Sequence, residues 1–302
     1  MRILLTGSSG FLGHHILTSP AAAGAHFVCA THVSEVQSEQ NVSLGPGPWG
    51  RAEFEHALAV SQADVVLHCA GTTYGSDSRQ FFEANTLPAA GLLSVLSEMA
   101  NPPRAILIGS AAEYGFVSAD AMPVREDHPC RPHSEYGISK YAQTLLALAA
   151  AERGLPVMTA RLFNPVGLGM PIKLALPSFA RRIAMASKND GILSVGNIEV
   201  SRDFIDVADA ARILLVLCRI PLWPWPIVNL CSGQAFKLGS LLEAMIAASG
   251  RQLRVKVDPA LVRLVDMPLI VGSTERLVAL DLRPPAPNFD RIIPRLLEET
   301  HL

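Results

Sequence analysis

Arg2-Ile-Leu-Leu-Thr-Gly7-Ser-Ser-Gly10-Phe11-Leu12-Gly13 reads as a short apolar strand, a glycine turn and the start of a helix whose pattern continues through Leu17. That order is the context a dinucleotide fingerprint requires. Glycines let the backbone turn tightly and approach a pyrophosphate, whose charge is met by the free N–H groups of the helix start. The spacing is GxxGxxG in place of GxGxxG, so Gly7, Gly10, Phe11, Leu12 and Gly13 form a candidate cofactor cradle that needs company elsewhere in the chain.

Strand and helix patterns keep alternating downstream, which predicts an α/β fold built on a Rossmann-type doubly wound parallel sheet. Residues 25–30 read as a second strand, and its end is where an acidic residue would bind an adenosine ribose. Thr31 and His32 stand there instead. No carboxylate repels a 2′-phosphate and no arginine attracts one, so NADPH and NADH both stay open. Residues 41–51 are rich in Gly and Pro and read as loop. Residues 63–71 form a buried-strand pattern ending in Ala70 and Gly71, small enough for a cofactor to lie against the backbone; His68 reads as a core or strand-end histidine. A helical spacing covers residues 82–99, with Asn85 in its first half and Pro88 as an irregularity. Residues 104–110 are another strand, and it delivers Ser110 at its carboxyl end, beside which ligand crevices open in such sheets.

Tyr136 and Lys140 lie four apart at the start of a long Ala/Leu run that reads as helix, so they share a face. An adjacent cation favours a phenolate, which would make the tyrosine a usable acid or base. The helix over residues 139–151 is apolar nearly all round, which implies burial on more than one side.

The length of 302 residues suits one large domain or two smaller ones. Net charge is −2 with a pI near 6.5, and no Lys/Arg run is long enough to track phosphates, so nucleic acid is not an expected partner. The first residues carry an apolar core too short for a signal peptide, and no uninterrupted apolar stretch spans a bilayer. A cytoplasmic protein without a membrane partner is expected. Cys29, Cys69, Cys130, Cys218 and Cys231 are scattered, with no CxxC pair and no His at ligand spacing, which argues against disulfides and against a metal site.

Glycine turn, serine at a strand end and YxxxK occur here in the order of the extended short-chain dehydrogenase/reductases. Gly109-Ser110-Ala-Ala-Glu-Tyr114-Gly resembles their serine motif, and Arg131-Pro-His-Ser-Glu-Tyr136-Gly-Ile-Ser-Lys140 their SPYxxSK motif. Ala160-Arg-Leu-Phe-Asn164-Pro-Val-Gly resembles the RxFNxxG of the nucleotide-sugar subgroup, and the segments around Arg202, Val228 and Arg263 are similar to GDP-4-keto-6-deoxy-mannose reductases. The resemblance implies an NAD(P)-dependent enzyme of a nucleotide sugar. It implies that Ser110 bonds the reacting carbonyl, Tyr136 transfers the proton, and Lys140 holds the nicotinamide ribose and lowers the tyrosine pKa. Asn164 would lie near the sugar or phosphate; Arg202 and Arg263 would pair with the pyrophosphate, which suits a planar guanidinium fork. Family dehydratases carry Asp-Glu directly after the hydroxyl residue, where this chain has Ala111 and Ala112, so elimination of water is disfavoured.

The expected architecture is a cofactor domain of residues 1–164 and 203–230 with a smaller C-terminal substrate domain of residues 165–202 and 231–302. The resemblance also implies a homodimer through the Tyr136 helix and the one before it. The leading functional expectation is reduction of the C4 keto group of a 4-keto-6-deoxyhexose on GDP or dTDP. Its rivals are a C4 epimerase with tightly bound NAD and a redox-sensing dinucleotide-binding module.

Overall fold

The computed structural model describes residues 1–31, 40–186, 191–262 and 267–299. Its first half alternates strands β1 (Arg2–Thr6), β2 (His26–Thr31), β3 (Gln40–Ser43), β4 (Val65–His68), β5 (Arg104–Ser110) and β6 (Val157–Leu162) with helices α1 (Phe11–Leu17), α2 (Arg51–Ser61), α3 (Ser78–Phe81), α4 (Leu87–Glu98) and α5 (Glu135–Glu152). There follow β7 (Asn164–Val166), α6 (Ala175–Met185), β8 (Ile192–Val195), β9 (Ser201–Asp206), α7 (Val207–Arg219) and β10 (Ile227–Leu230). The chain ends with β11 (Ala235–Lys237), α8 (Leu238–Ala248), β12 (Arg254–Val257), β13 (Leu269–Ile270), α9 (Glu275–Val278) and α10 (Phe289–Glu298).

Seven strands pair in parallel in the order β10-β6-β5-β4-β1-β2-β3, the Rossmann-type sheet that the alternation predicts. The order reverses between β1 and β4, and a crevice therefore opens beyond their carboxyl ends. Both faces of the sheet are covered, and side-chain alternation sorts the residues between them. Ile3 and Leu5 point into one core with Ile16, Ile213 and Leu214, whereas Leu4 points into the other with Phe54, Leu92 and Leu96. A second body is built on a small sheet, in which β9 pairs with β7, β11 and β13, and on the parallel pair β8 and β12. Its own core gathers Val166, Leu176, Phe204, Leu242, Ile293 and Leu296.

Two local readings change. Residues 41–43 belong to strand β3, not to a loop. At this sheet edge only Val42 is buried, so one inward residue leaves no alternation to read. The helix over residues 82–99 opens with a π turn at Phe82–Thr86 before α4 begins, and Pro88 falls in the first turn of α4, where a missing N–H is tolerated.

Candidate active site

The glycine turn packs backbone on backbone. Gly7 has φ +70, and a Cβ there would stand 2.7 Å from the Ala70 nitrogen; one at Gly13 would stand 2.2 Å from the Gly7 carbonyl oxygen. Only glycine lets α1 and the end of β4 come this close. Thr6 ties the two strand ends together, since its hydroxyl accepts from the Ala70 N–H at 3.0 Å and meets His68 Nδ1 at 2.9 Å. Within the turn the Ser8 hydroxyl is buried and has no protein partner, a feature that fits a ligand lying across the glycines. Leu12 packs into the core below the turn, and Phe11 stands edge-on to His15, so both would serve a ligand through the backbone. Thr31 is buried at the end of β2. His32 and Arg263 lie outside the described residues.

Ser110 ends β5 and its hydroxyl accepts from the Ala112 N–H at 3.2 Å. Ser134 caps α5 by accepting from Gly137 N, which starts the helix so that Tyr136 and Lys140 share its inner face. The Ser110 hydroxyl lies near the Tyr136 phenol and favours its charged form. Burial nevertheless pushes the phenol up to about 12, against the pull of Ser110 and with a further push from the Glu113 charge. The direction is opposite to the expected lowering, because burial outweighs every other cause, and the Lys140 ammonium donates to Gln143 Oε1 at 2.8 Å. Gln143 in turn donates to the Ile108 carbonyl at 3.0 Å, so Lys140 is tethered to the strand that carries Ser110. Burial brings Lys140 down to about 8, with Glu113 and Cys69 opposing the fall.

Asn85 is a brace. Its Nδ2 donates to the Thr72 carbonyl at 3.0 Å and to Ser139 Oγ at 2.9 Å, and its Oδ1 accepts from Thr72 N at 2.8 Å. Both amide hydrogens are used, and they link α5 to the loop after Gly71. A Cβ at Gly71 would meet Asn85 Oδ1 at 2.7 Å and Lys140 Nζ at 3.9 Å, which brings Gly71, Asn85 and Lys140 to one place.

Asn164 and Arg202 lie on the small sheet. Asn164 Nδ2 donates to the Asp203 carbonyl at 2.8 Å, and Arg202 Nη1 donates to the carbonyls of Ser201 at 2.9 Å and Met267 at 2.6 Å. Sequence reading missed Gln143, Ser139 and Glu113. Glu113 had a signal, being a charged residue in the short turn that follows a buried strand.

No group of His, Cys, Asp or Glu among the described residues could hold a metal ion. Nor is any helix among them long and apolar enough to cross a membrane.

A doubly wound parallel sheet that brings a glycine turn, a serine, a tyrosine and a lysine to one end defines an NAD(P)-dependent oxidoreductase of the short-chain type. The chain belongs to the NAD dependent epimerase/dehydratase family, whose model matches residues 3–222. It is 31% identical over 283 residues to GDP-6-deoxy-D-mannose reductase of Pseudomonas aeruginosa, covering 91% of this chain and 89% of that one. It is 28% identical over 264 residues to dTDP-6-deoxy-L-talose 4-dehydrogenase (NAD(P)(+)) of Kitasatospora kifunensis, covering 86% and 82%. The structure of RMD from Pseudomonas aeruginosa complexed with NADPH superimposes with a TM-score of 0.81 at 27% identity, covering 99% of both chains. UDP-glucose 4-epimerases are also among its relatives.

Proposed function

We propose that the protein reduces the C4 keto group of a nucleotide-activated 4-keto-6-deoxyhexose, carried on GDP or dTDP, with NADPH or NADH. The observation that carries this reading is the Ser110–Tyr136 hydroxyl pair at the end of β5, followed by Ala111 and Ala112 where elimination would need an acid and a base. The similarity to a GDP-6-deoxy-D-mannose reductase over most of both chains supports the substrate class.

Bound nicotinamide supplies a hydride to the carbonyl carbon. Phe11, Leu12 and Gly13 at the start of α1 would offer backbone N–H groups to the pyrophosphate, over the turn that Gly7 and Gly10 shape with the Gly10 N–H on the Gly7 carbonyl. Thr31 and His32 would serve the adenosine ribose, and Ala70 and Gly71 would leave room for the cofactor. Ser110 donates to the carbonyl oxygen and holds it in place. Tyr136, its phenol held protonated at neutral pH, gives that oxygen its proton as the alkoxide charge develops. Lys140 holds the nicotinamide ribose. Asn164, Arg202 and Arg263 take the sugar and its diphosphate. The reading includes a cytoplasmic homodimer that covers the exposed apolar residues Ile138, Leu145 and Leu146 of α5 and Leu87 of α4.

The test is turnover by purified protein of NADPH and of NADH against 4-keto-6-deoxyhexoses on GDP and on dTDP. Stoichiometric loss of reduced nicotinamide is expected, and Tyr136→Phe should lower kcat by roughly 10²–10⁴ while cofactor binding persists. A protein that arrives with NAD bound and consumes none of these substrates would be the C4 epimerase instead.

A further inference from the structure

We propose that Glu113 is the positioning residue of this site: through the Ser110 amide it fixes the end of β5 against Tyr136, and its charge, clamped by Arg161, supports the ammonium of Lys140. The inference rests on the reductase reading for what the site does, and on geometry for how it is held.

Glu113 is fully buried, yet each carboxylate oxygen accepts from an N–H. Oε1 takes the Ser110 amide at 2.7 Å and Oε2 takes Arg161 Nε at 2.8 Å. A donor aimed at each oxygen favours the anion, against the burial that raises the Glu113 pKa. Glycine at position 109 makes room for it, because a Cβ there would stand 2.6 Å from Oε1. Arg161 is held in turn. It stacks 4.7 Å from the Tyr114 ring and donates to the Glu126 carbonyl at 3.1 Å. The network continues as Tyr114 donates to Asn229 Oδ1 at 2.6 Å and Asn229 N donates to Glu126 Oε1 at 2.9 Å.

A buried ion pair is weak evidence for stability, since desolvation offsets much of the attraction. What this one does is face the site. Arg161 of β6, Lys140, Tyr136 and the Thr144 hydroxyl of α5, and Cys130 of the loop before α5 all lie within its field. The Lys140 charge also acts on His68 and Cys69 at the end of β4. Burial lowers the Lys140 pKa, and Glu113 is the foremost group opposing that fall.

Two variants separate the parts. Glu113→Asp keeps the charge and withdraws the carboxylate from the Ser110 amide; Glu113→Gln combined with Arg161→Gln removes both charges, so that no buried ion is left unpaired. Lys140 is titrated by NMR of protein carrying 13C-lysine, its signal assigned with Lys140→Met, and kcat is followed against pH. Glu113→Asp should lower kcat by about tenfold to a hundredfold with the Lys140 titration in place. The double variant should move that titration down by about one pH unit. Wild-type kcat in Glu113→Asp, or an unmoved Lys140 in the double variant, would overturn the proposal. The titration needs no substrate, so a wild-type protein silent in the ketosugar assay would strike the reductase reading alone.

Discussion

Helices α10 and α5 sort their residues in opposite ways. In α10, Ile292, Ile293, Leu296 and Leu297 are buried while Asp290, Arg291, Arg295 and Glu298 face solvent, the ordinary amphipathic solution. In α5 the buried face carries Ser139, Lys140, Gln143 and Thr144, and the exposed positions include Ile138, Leu145 and Leu146. The first helix stabilises its body through apolar burial. The second spends its interior on polar groups, of which Lys140 is held by Gln143, Gln143 by the Ile108 carbonyl, and Ser139 by Asn85 and Thr86. A helix of the second kind positions chemistry, and the stability must come from elsewhere.

The largest effect that separates the two is expected on the α10 side. Leu296 is 1% exposed in the core of the second body, and Leu296→Ala should cost about 2–5 kcal/mol of unfolding free energy. Turnover per folded molecule should stay at the wild-type level, measured by urea melts and by active-site-normalised kcat. Tyr136→Phe on α5 should do the reverse. If both variants lost stability and activity together, the two helices would not differ in kind.

A smaller effect lies in the acid range. His68, at the end of β4 beside Lys140, is held neutral by burial, which pulls its pKa from 6.5 to about 3, with Lys140 adding to the pull. The unfolded chain binds a proton below about pH 6.5 that the folded chain refuses, so stability falls as pH drops from there towards 3. At pH 5 the loss from this one group is about 2 kcal/mol. Unfolding free energies of wild type and His68→Asn, measured from pH 7.5 to 5, should converge on acidification. Parallel curves would show that His68 takes no part.

The contrast also marks what a sequence lets one read. The parallel sheet, the glycine turn and the serine at the end of β5 were legible because apolar runs and glycines report backbone geometry directly. Tyr136 and Lys140 were legible because helical spacing puts them on one face. The inner face of α5 was not. A run of Ala and Leu studded with Ser, Lys, Gln and Thr looks apolar all round, and only the partners on β5 and in the π turn decide that the polar stripe goes inward. For the same reason the sequence assigns Glu113 no role, since its partners Ser110 and Arg161 sit on different strands. The phenol of Tyr136 goes up and not down because burial outweighs every other cause, and burial is set by neighbours in space.

The smallest effect on the fold itself, and the sharpest for the comparison, concerns the outward face of α5. Leu145 is 48% exposed in the single chain and Leu146 is 39% exposed, next to α4, whose Leu87 is 47% exposed. Neighbouring apolar residues at the surface of an enzyme ask for a cover, and the inverted sorting of α5 supplies the reason for one. If the homodimer forms through this face, the leucines regain on association the burial that α5 gave up to its polar interior. Leu145→Glu should then convert the dimer to a monomer in sedimentation velocity, while changing the stability of the isolated chain by no more than about 0.5 kcal/mol. A wild-type protein that sediments as a monomer, or a variant that stays dimeric, would leave α5 as a helix that tolerates an uncovered apolar face, and the cost of its polar interior would have to be met within the chain by the cores beneath it.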